Sequence, residues 1–207
     1  MKSKKQAHSV EEQLKELREA DGSQDKCVDL NFMVFNYGKF HNNKVNQIIH
    51  IICVPLILYS WYVMLSLIAP FYQLDANYPL VGDKIGCGIV PQIVVSVTYF
   101  FVDWKVALAV SAWWWPTMVL GNITWMHYSE IDYPFGLDQF WFMTVINTSG
   151  WAAQFIGHGF FEKRAPAILT NLGFALLAPF FITFEVMNSL FGFREGEKMA
   201  KLRQLID

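Results

Sequence analysis

Five apolar runs divide the chain, from Ile48 to about Phe71, Ile85 to Phe101, Val106 to Ile123, Phe140 to Phe161 and Ala167 to Leu190. Each approaches or reaches the roughly 20 residues that a helix needs to cross a bilayer. The pattern predicts an all-α fold, a polytopic membrane helical bundle with four to five apolar segments. Pro55 is expected to bend the first segment or to mark where a shorter span begins, and Pro116 and Pro179 fall inside the third and fifth. The polar joint Asp103-Trp104-Lys105 makes a helical hairpin of the second and third. Ahead of the first run lies a polar, lysine-rich leader. There Ser9 and Glu12 have the spacing of a capping box opening a short helix, Val10 to Ala20. The expected organisation is a partly disordered polar appendage over 1–29, a membrane-embedded domain over 30–193 and a polar tail over 194–207.

Composition agrees with a membrane protein. Of the 207 residues, 54% are apolar and 16% aromatic, with eight Trp and eighteen Phe. A net charge of −2 carries no electrostatic argument for a nucleic-acid partner. Cys27, Cys53 and Cys87 form no CxxC pair, so neither a zinc site nor a disulfide framework is signalled. The long polar leader makes a cleavable signal peptide unexpected.

Lysine and arginine set the expected orientation. Eight of them precede the first run, the 72–84 loop has one and the 124–139 loop has none. Lys163 and Arg164 follow the fourth run, and Arg194, Lys198, Lys201 and Arg203 lie in the tail. This distribution puts the N-terminus, the Asp103 joint, the 163–164 pair and the C-terminus in the cytosol. Five full spans would put the last of these on the other side, so one run is expected not to cross. The fifth, with Asn171, Gly173, Pro179 and Glu185, is the candidate for a broken or re-entrant segment.

Polar groups cluster at two run edges. His158 and Glu162 stand four apart, which on a helix places them on one face, and Gly157 and Gly159 beside the histidine leave room for another helix or a ligand. An imidazole and a carboxylate are two of the three ligands of a facial iron triad. The plainer reading is a salt bridge of Glu162 with Lys163 or Arg164 at the membrane edge. In the stretch YGKFHNNKVNQIIH, Asn43, Asn46 and His50 make one helical face wholly polar as it enters the membrane, a costly arrangement unless those groups find partners. His41 and His50, nine residues apart, would point to opposite sides of a straight helix, so a shared metal requires a break near Asn42-Asn43. The plainer reading there is an interfacial helix contacting headgroups. His127, in an acidic and aromatic loop, reads as an ordinary interfacial histidine on the far side. The topology places both clusters at the same membrane face, where they could converge on one site.

The stretches YGKFHNNKVNQIIHIICVPLILYS and WAAQFIGHGFFEKRAPAILTNLGFALLAPFFITFEV, in this order, resemble the 2-hydroxy-fatty-acid dioxygenase family of endoplasmic-reticulum membrane proteins. The likeness extends over nearly everything from Phe35 to Phe193. It implies an Fe(2+)-dependent step of fatty-acid α-oxidation. In it a 2-hydroxy fatty acid, such as arises in phytosphingosine breakdown, and O2 become the acid one carbon shorter, CO2 and water. It implies His41, His50, His158 and Glu162 as iron ligands, with the substrate chelating through its carboxylate and hydroxyl. Lys163, Arg164, Asn43 and Asn46 would bind the substrate head, and the tail would lie among the apolar runs. The expected partners are the 2-hydroxy acid, O2 and membrane lipid. The site would lie on the cytosolic side of the endoplasmic reticulum membrane, and the oligomeric state stays open. A di-iron hydroxylase is disfavoured, since its HxxxH and HxxHH boxes are missing. The alternative from another class is a non-catalytic membrane lipid carrier or scaffold.

Overall fold

The computed structural model describes residues 43–79, 82–127, 130–163 and 173–191, together with Glu12 and Lys15. Five α-helices make up most of the described chain: α1 (Lys44–Ser66), α2 (Ile89–Val102), α3 (Trp104–Met126), α4 (Gln139–Gly157) and α5 (Gly173–Phe191). Glu12 and Lys15 are helical, and the rest of the expected Val10–Ala20 helix lies outside the described residues, as does the C-terminal tail.

Two strands correct the all-α expectation. The first apolar run ends as helix at Ser66 rather than near Phe71, and the chain turns into β1 (Pro70–Tyr78), paired antiparallel with β2 (Gly82–Gly86). The hairpin stands on the bundle through Asn122, which is buried in α3. Its Oδ1 accepts from the backbone N–H of Gly86 at 3.0 Å and from the hydroxyl of Tyr62 at 2.9 Å, and its Nδ2 donates to the Lys84 carbonyl at 2.9 Å. One buried amide thus ties β2 and α1 to α3, and all three bonds satisfy groups that would be costly to bury alone.

The Asp103 joint is as expected. Its backbone is extended and its side chain accepts from the N–H groups of Lys105 and Val106, so it ends α2 and caps α3. Helices α1, α3 and α5 run through Pro55, Pro116 and Pro179. The break expected in the fifth segment is therefore not found in its described part, where Pro179 is buried against neighbouring helices. The core joins α2, α3 and α5 around Tyr99, Val110, Trp114, Phe180 and Phe184. Tyr99 donates to the carbonyl of Leu176, and Trp113 Nε1 donates to Thr183 at 2.9 Å.

Among the described residues, Lys44–Ser66 and Trp104–Met126 are long and apolar enough to cross a membrane. Ile89–Val102 and Ala175–Met187 are apolar but shorter. The expected four to five apolar segments thus reduce to two that meet the span criterion. Helix α4 is long enough, but Thr144, Asn147, Thr148, Ser149 and Gln154 dilute its apolar character. Some of that polarity turns inward: Gln154 is buried, and Asn147 donates to Ser60 on α1 at 3.0 Å. Outward faces are apolar instead, with Ile48, Ile52 and Leu56 exposed on α1 and Val94, Val97 and Phe101 on α2. Polar groups between helices and apolar groups outside suit a lipid surrounding.

Candidate functional site

The site begins where α1 begins. Asn43 is extended (φ −87°, ψ 125°), and its side chain accepts from the Val45 N–H at 2.9 Å, which starts the helix at Lys44. The helical path therefore stops before His41, as a shared metal would require, while His41 itself lies outside the described residues. The polar face then enters the bundle as Asn46, fully buried at 0% exposure, and His50, at 4%.

Helix α4 arrives from the opposite direction and changes character at its end. After Gly157 the backbone widens into a π turn, His158–Glu162, closed by the Lys163 N–H donating to the His158 carbonyl. The apolar run expected to Phe161 is thus α-helical only to Gly157, and His158 and Glu162 share a π turn rather than an α-helical face. Such widened turns recur at functional sites. Lys163 ends the turn in the left-handed region (φ 53°), an uncommon conformation for a residue with a Cβ.

Asn46 joins the two elements. Its Nδ2 donates to Glu162 Oε1 at 3.3 Å and lies 3.5 Å from His158 Nδ1, at the long limit of hydrogen bonding. The same Glu162 oxygen accepts from the Asn43 backbone N–H at 2.7 Å. His50 Nδ1 is 2.9 Å from the Asn46 carbonyl. A carbonyl can only accept, so Nδ1 carries the proton and Nε2 the lone pair, the tautomer that suits a ligating imidazole. The His50 and His158 rings meet edge to face, with centroids 5.0 Å apart. His158 is 3% exposed.

Close approach of the helices rests on two glycines of α4. A Cβ on Gly150 would strike Ile57, and one on Gly157 would strike Asn46 Oδ1. That oxygen is buried without a hydrogen-bond partner among the described residues. A Cβ on Gly159 would meet nothing within 4 Å. Of the two glycines beside the histidine, Gly157 makes room for a helix and Gly159 faces open space.

His50, His158 and Glu162 thus come together, and Asn43 and Asn46 with them. The two asparagines do not present open side chains: Asn43 caps α1, and Asn46 sits buried between the other groups. Lys163 is exposed beside them, and Arg164 lies outside the described residues. His127 is at the far end of α3, 52% exposed and 3.1 Å from Glu130. The C-terminal half of α1 meets the C-terminal end of α3 through the bonds of Tyr59 and Tyr62 to Thr124 and Asn122, so His127 lies by that end of α1 while His50 lies in its N-terminal half.

Two imidazoles and a carboxylate agree in kind with a non-haem iron site. Among the described residues, no three His, Cys, Asp or Glu groups stand close enough to hold an ion. The imidazole pair is close; Glu162 is held aside by Asn43 and Asn46. Completing a ligand set from these residues needs a turn of the Glu162 carboxylate or a ligand from outside the described residues, such as His41.

Residues 29–190 match the family described as 2-hydroxy-palmitic acid dioxygenase Mpo1-like. The chain is 32% identical over 164 residues to the 2-hydroxy-palmitic acid dioxygenase MPO1 of Saccharomyces cerevisiae, a match covering 79% of this chain and 82% of the yeast protein. No solved structure matches the chain.

Proposed function

The chain belongs to the 2-hydroxy-palmitic acid dioxygenase Mpo1-like family, and on that premise we propose that it is an Fe(2+)-dependent enzyme of the endoplasmic reticulum membrane that shortens 2-hydroxy fatty acids by one carbon. The observation that carries this reading is the meeting of His50, His158 and Glu162 around one buried asparagine. The reaction balances without an outside reductant. A 2-hydroxy acid and O2 become the shortened acid, CO2 and water, with the C1–C2 bond broken and the substrate supplying the electrons.

Iron would be held by His50 and His158 with Glu162 and His41, and would supply O2 activation together with an attachment point for the substrate's carboxylate and hydroxyl. The protein's part is positioning. The Asn46 carbonyl fixes the tautomer and ring plane of His50. The Asn46 amide and the Asn43 N–H fix the Glu162 carboxylate beside the imidazole pair, from which a turn of the side chain would bring it into the ligand set. Lys163, exposed next to Glu162, and Arg164 supply positive charge for the substrate carboxylate at the membrane surface. The apolar outer faces of α1 and α2 keep the bundle in lipid, where such substrates reside.

The test is a single turnover of a 2-hydroxy fatty acid under ¹⁸O2 with anaerobically Fe(II)-loaded protein and no added reductase. The expected product is the shortened acid carrying one labelled oxygen. An unlabelled acid, or dependence on NADPH, would overturn the mechanism. Purified protein with no affinity for iron would favour a lipid carrier instead.

A further inference from the structure

A cavity of about 330 Å³ lies between the helices, within the ~300–1,000 Å³ range of small-molecule sites. Its walls are apolar, with Ile57, Trp61 and Leu65 from α1, Trp114 from α3, Trp151 from α4 and Leu176 from α5. None of the residues of the candidate site lines it. Its placement nevertheless relates it to them. Ile57 follows His50 by seven residues and Trp151 precedes His158 by seven, and seven residues return to the same face of a helix. The cavity therefore opens on the faces of α1 and α4 that carry the two histidines, further along the bundle.

Its depth follows from the helix rise. At 1.5 Å per residue, Ile57 lies ~10 Å and Leu65 ~22 Å beyond His50 along α1. With C–C bonds of about 1.5 Å, an extended acyl chain advances roughly 1.3 Å per carbon, so these depths match roughly the eighth and the seventeenth carbon past a head group at His50. Helix α2 begins at the deep end, where a Cβ on Gly88 would strike Tyr62. One turn further along α2, which runs back toward the His50 end of α1, Gln92 stands in the cavity wall and is 4% exposed. Its Nε2 has no hydrogen-bond partner among the described residues. A buried amide in an apolar chamber must keep a water or stay unsatisfied, and a methyl end pressed against it costs either way.

We propose that this cavity receives the tail of a free 2-hydroxy fatty acid whose head lies at His50 and His158, and that Gln92, partway along its wall, limits the length of chain accepted. The position of the head rests on the dioxygenase reading; the apolar chamber and the amide in its wall do not. Chains whose methyl end stops short of Gln92 bind well. Longer chains displace the hydration of the amide or bury it unpaired, and they bind on the order of tenfold more weakly.

The experiment uses the purified full-length chain and a length series of saturated fatty acids without the 2-hydroxyl, brominated at the terminal carbon. Binding is read as quenching of tryptophan fluorescence, and the part due to Trp114 is taken from the difference with Trp114→Phe. Trp114 is the suitable reporter because it is buried from the surrounding lipid. The expected result is Trp114 quenching that falls beyond a threshold length in the parent and persists to longer chains in Gln92→Leu. Gln92→Met serves as the second variant should Gln92→Leu fail to fold. An unchanged length threshold in the folded variant, or no quenching of Trp114, would overturn the proposal. So would equal quenching of Trp114 by chain-brominated phosphatidylcholine, which would assign the chamber to membrane lipid. These ligands need neither iron nor turnover, so the cavity can fail while the ¹⁸O2 result stands, and the reverse.

Discussion

The backbone N–H of Asn43 donates to Glu162 Oε1 at 2.7 Å, joining the first turn of one helix to the last turn of another 119 positions away. A charged acceptor on an otherwise unsatisfied helix N-terminal amide is a strong bond, and it makes Glu162 a structural group as well as a candidate ligand. The two roles separate by substitution. Glu162→Gln keeps an oxygen for Asn43 and should retain most of the thermal stability, yet lose iron and turnover. Glu162→Ala removes the acceptor and should also cost about 1–3 kcal/mol of stability. Melting temperature and iron content, measured on both variants, check this. A Glu162→Gln protein that loads iron and turns over normally would remove the carboxylate from the ligand set.

His50→Ala and His158→Ala should each abolish iron binding and product formation while membrane insertion persists, and His41→Ala should behave likewise. His127→Ala should leave activity within a few-fold of the parent, because that ring is half-exposed beside Glu130 at the other end of the bundle. Iron analysis with mass spectrometry of the shortened acid reads both. Near-normal activity in His158→Ala would sink the site.

Gly157 and Gly159 should respond in opposite ways. Alanine at 157 drives a methyl into Asn46 and pushes α1 from α4, an overpacking expected to cost about 1–3 kcal/mol and most of the activity. Alanine at 159 meets nothing within 4 Å and should cost little in packing. Thermal unfolding in detergent and turnover rates distinguish the two. Equal tolerance at both positions would contradict the packing described.

Both termini are expected to face the cytosol, as the lysine and arginine distribution requires. Protease treatment of sealed microsomes bearing a tag at either end measures this. Cleavage of both tags is the expected outcome. A protected C-terminal tag would mean that α5 crosses completely.

Helix positions were legible in the sequence because lipid-facing and core-facing residues are both apolar, which leaves long runs closed by polar joints such as Asp103. The two polar clusters were legible for the converse reason: His50 and Asn46, or His158 and Glu162, stand out where nearly every neighbour is apolar. A break ahead of Lys44 followed from spacing only on the condition that His41 and His50 share a metal.

What sequence could not supply was the joining. The hairpin over Pro70–Gly86 depends on Asn122 from a helix some forty residues later, and its largely exposed first strand carries no alternation of buried and open positions. The π turn depends on a hydrogen bond pattern that composition does not encode, and the continuity of α5 through Pro179 depends on the helices packed around it. The role of Asn46 was the least visible. Three to four residues apart, Asn43, Asn46 and His50 look like groups offered to a headgroup or substrate. In the fold Asn46 is buried, because Gly150 and Gly157 let α4 approach closely enough for its amide to reach Glu162. Spacing along one helix determines which side chains share a face. Which face meets another helix, and at what distance, is decided by packing between residues more than a hundred positions apart.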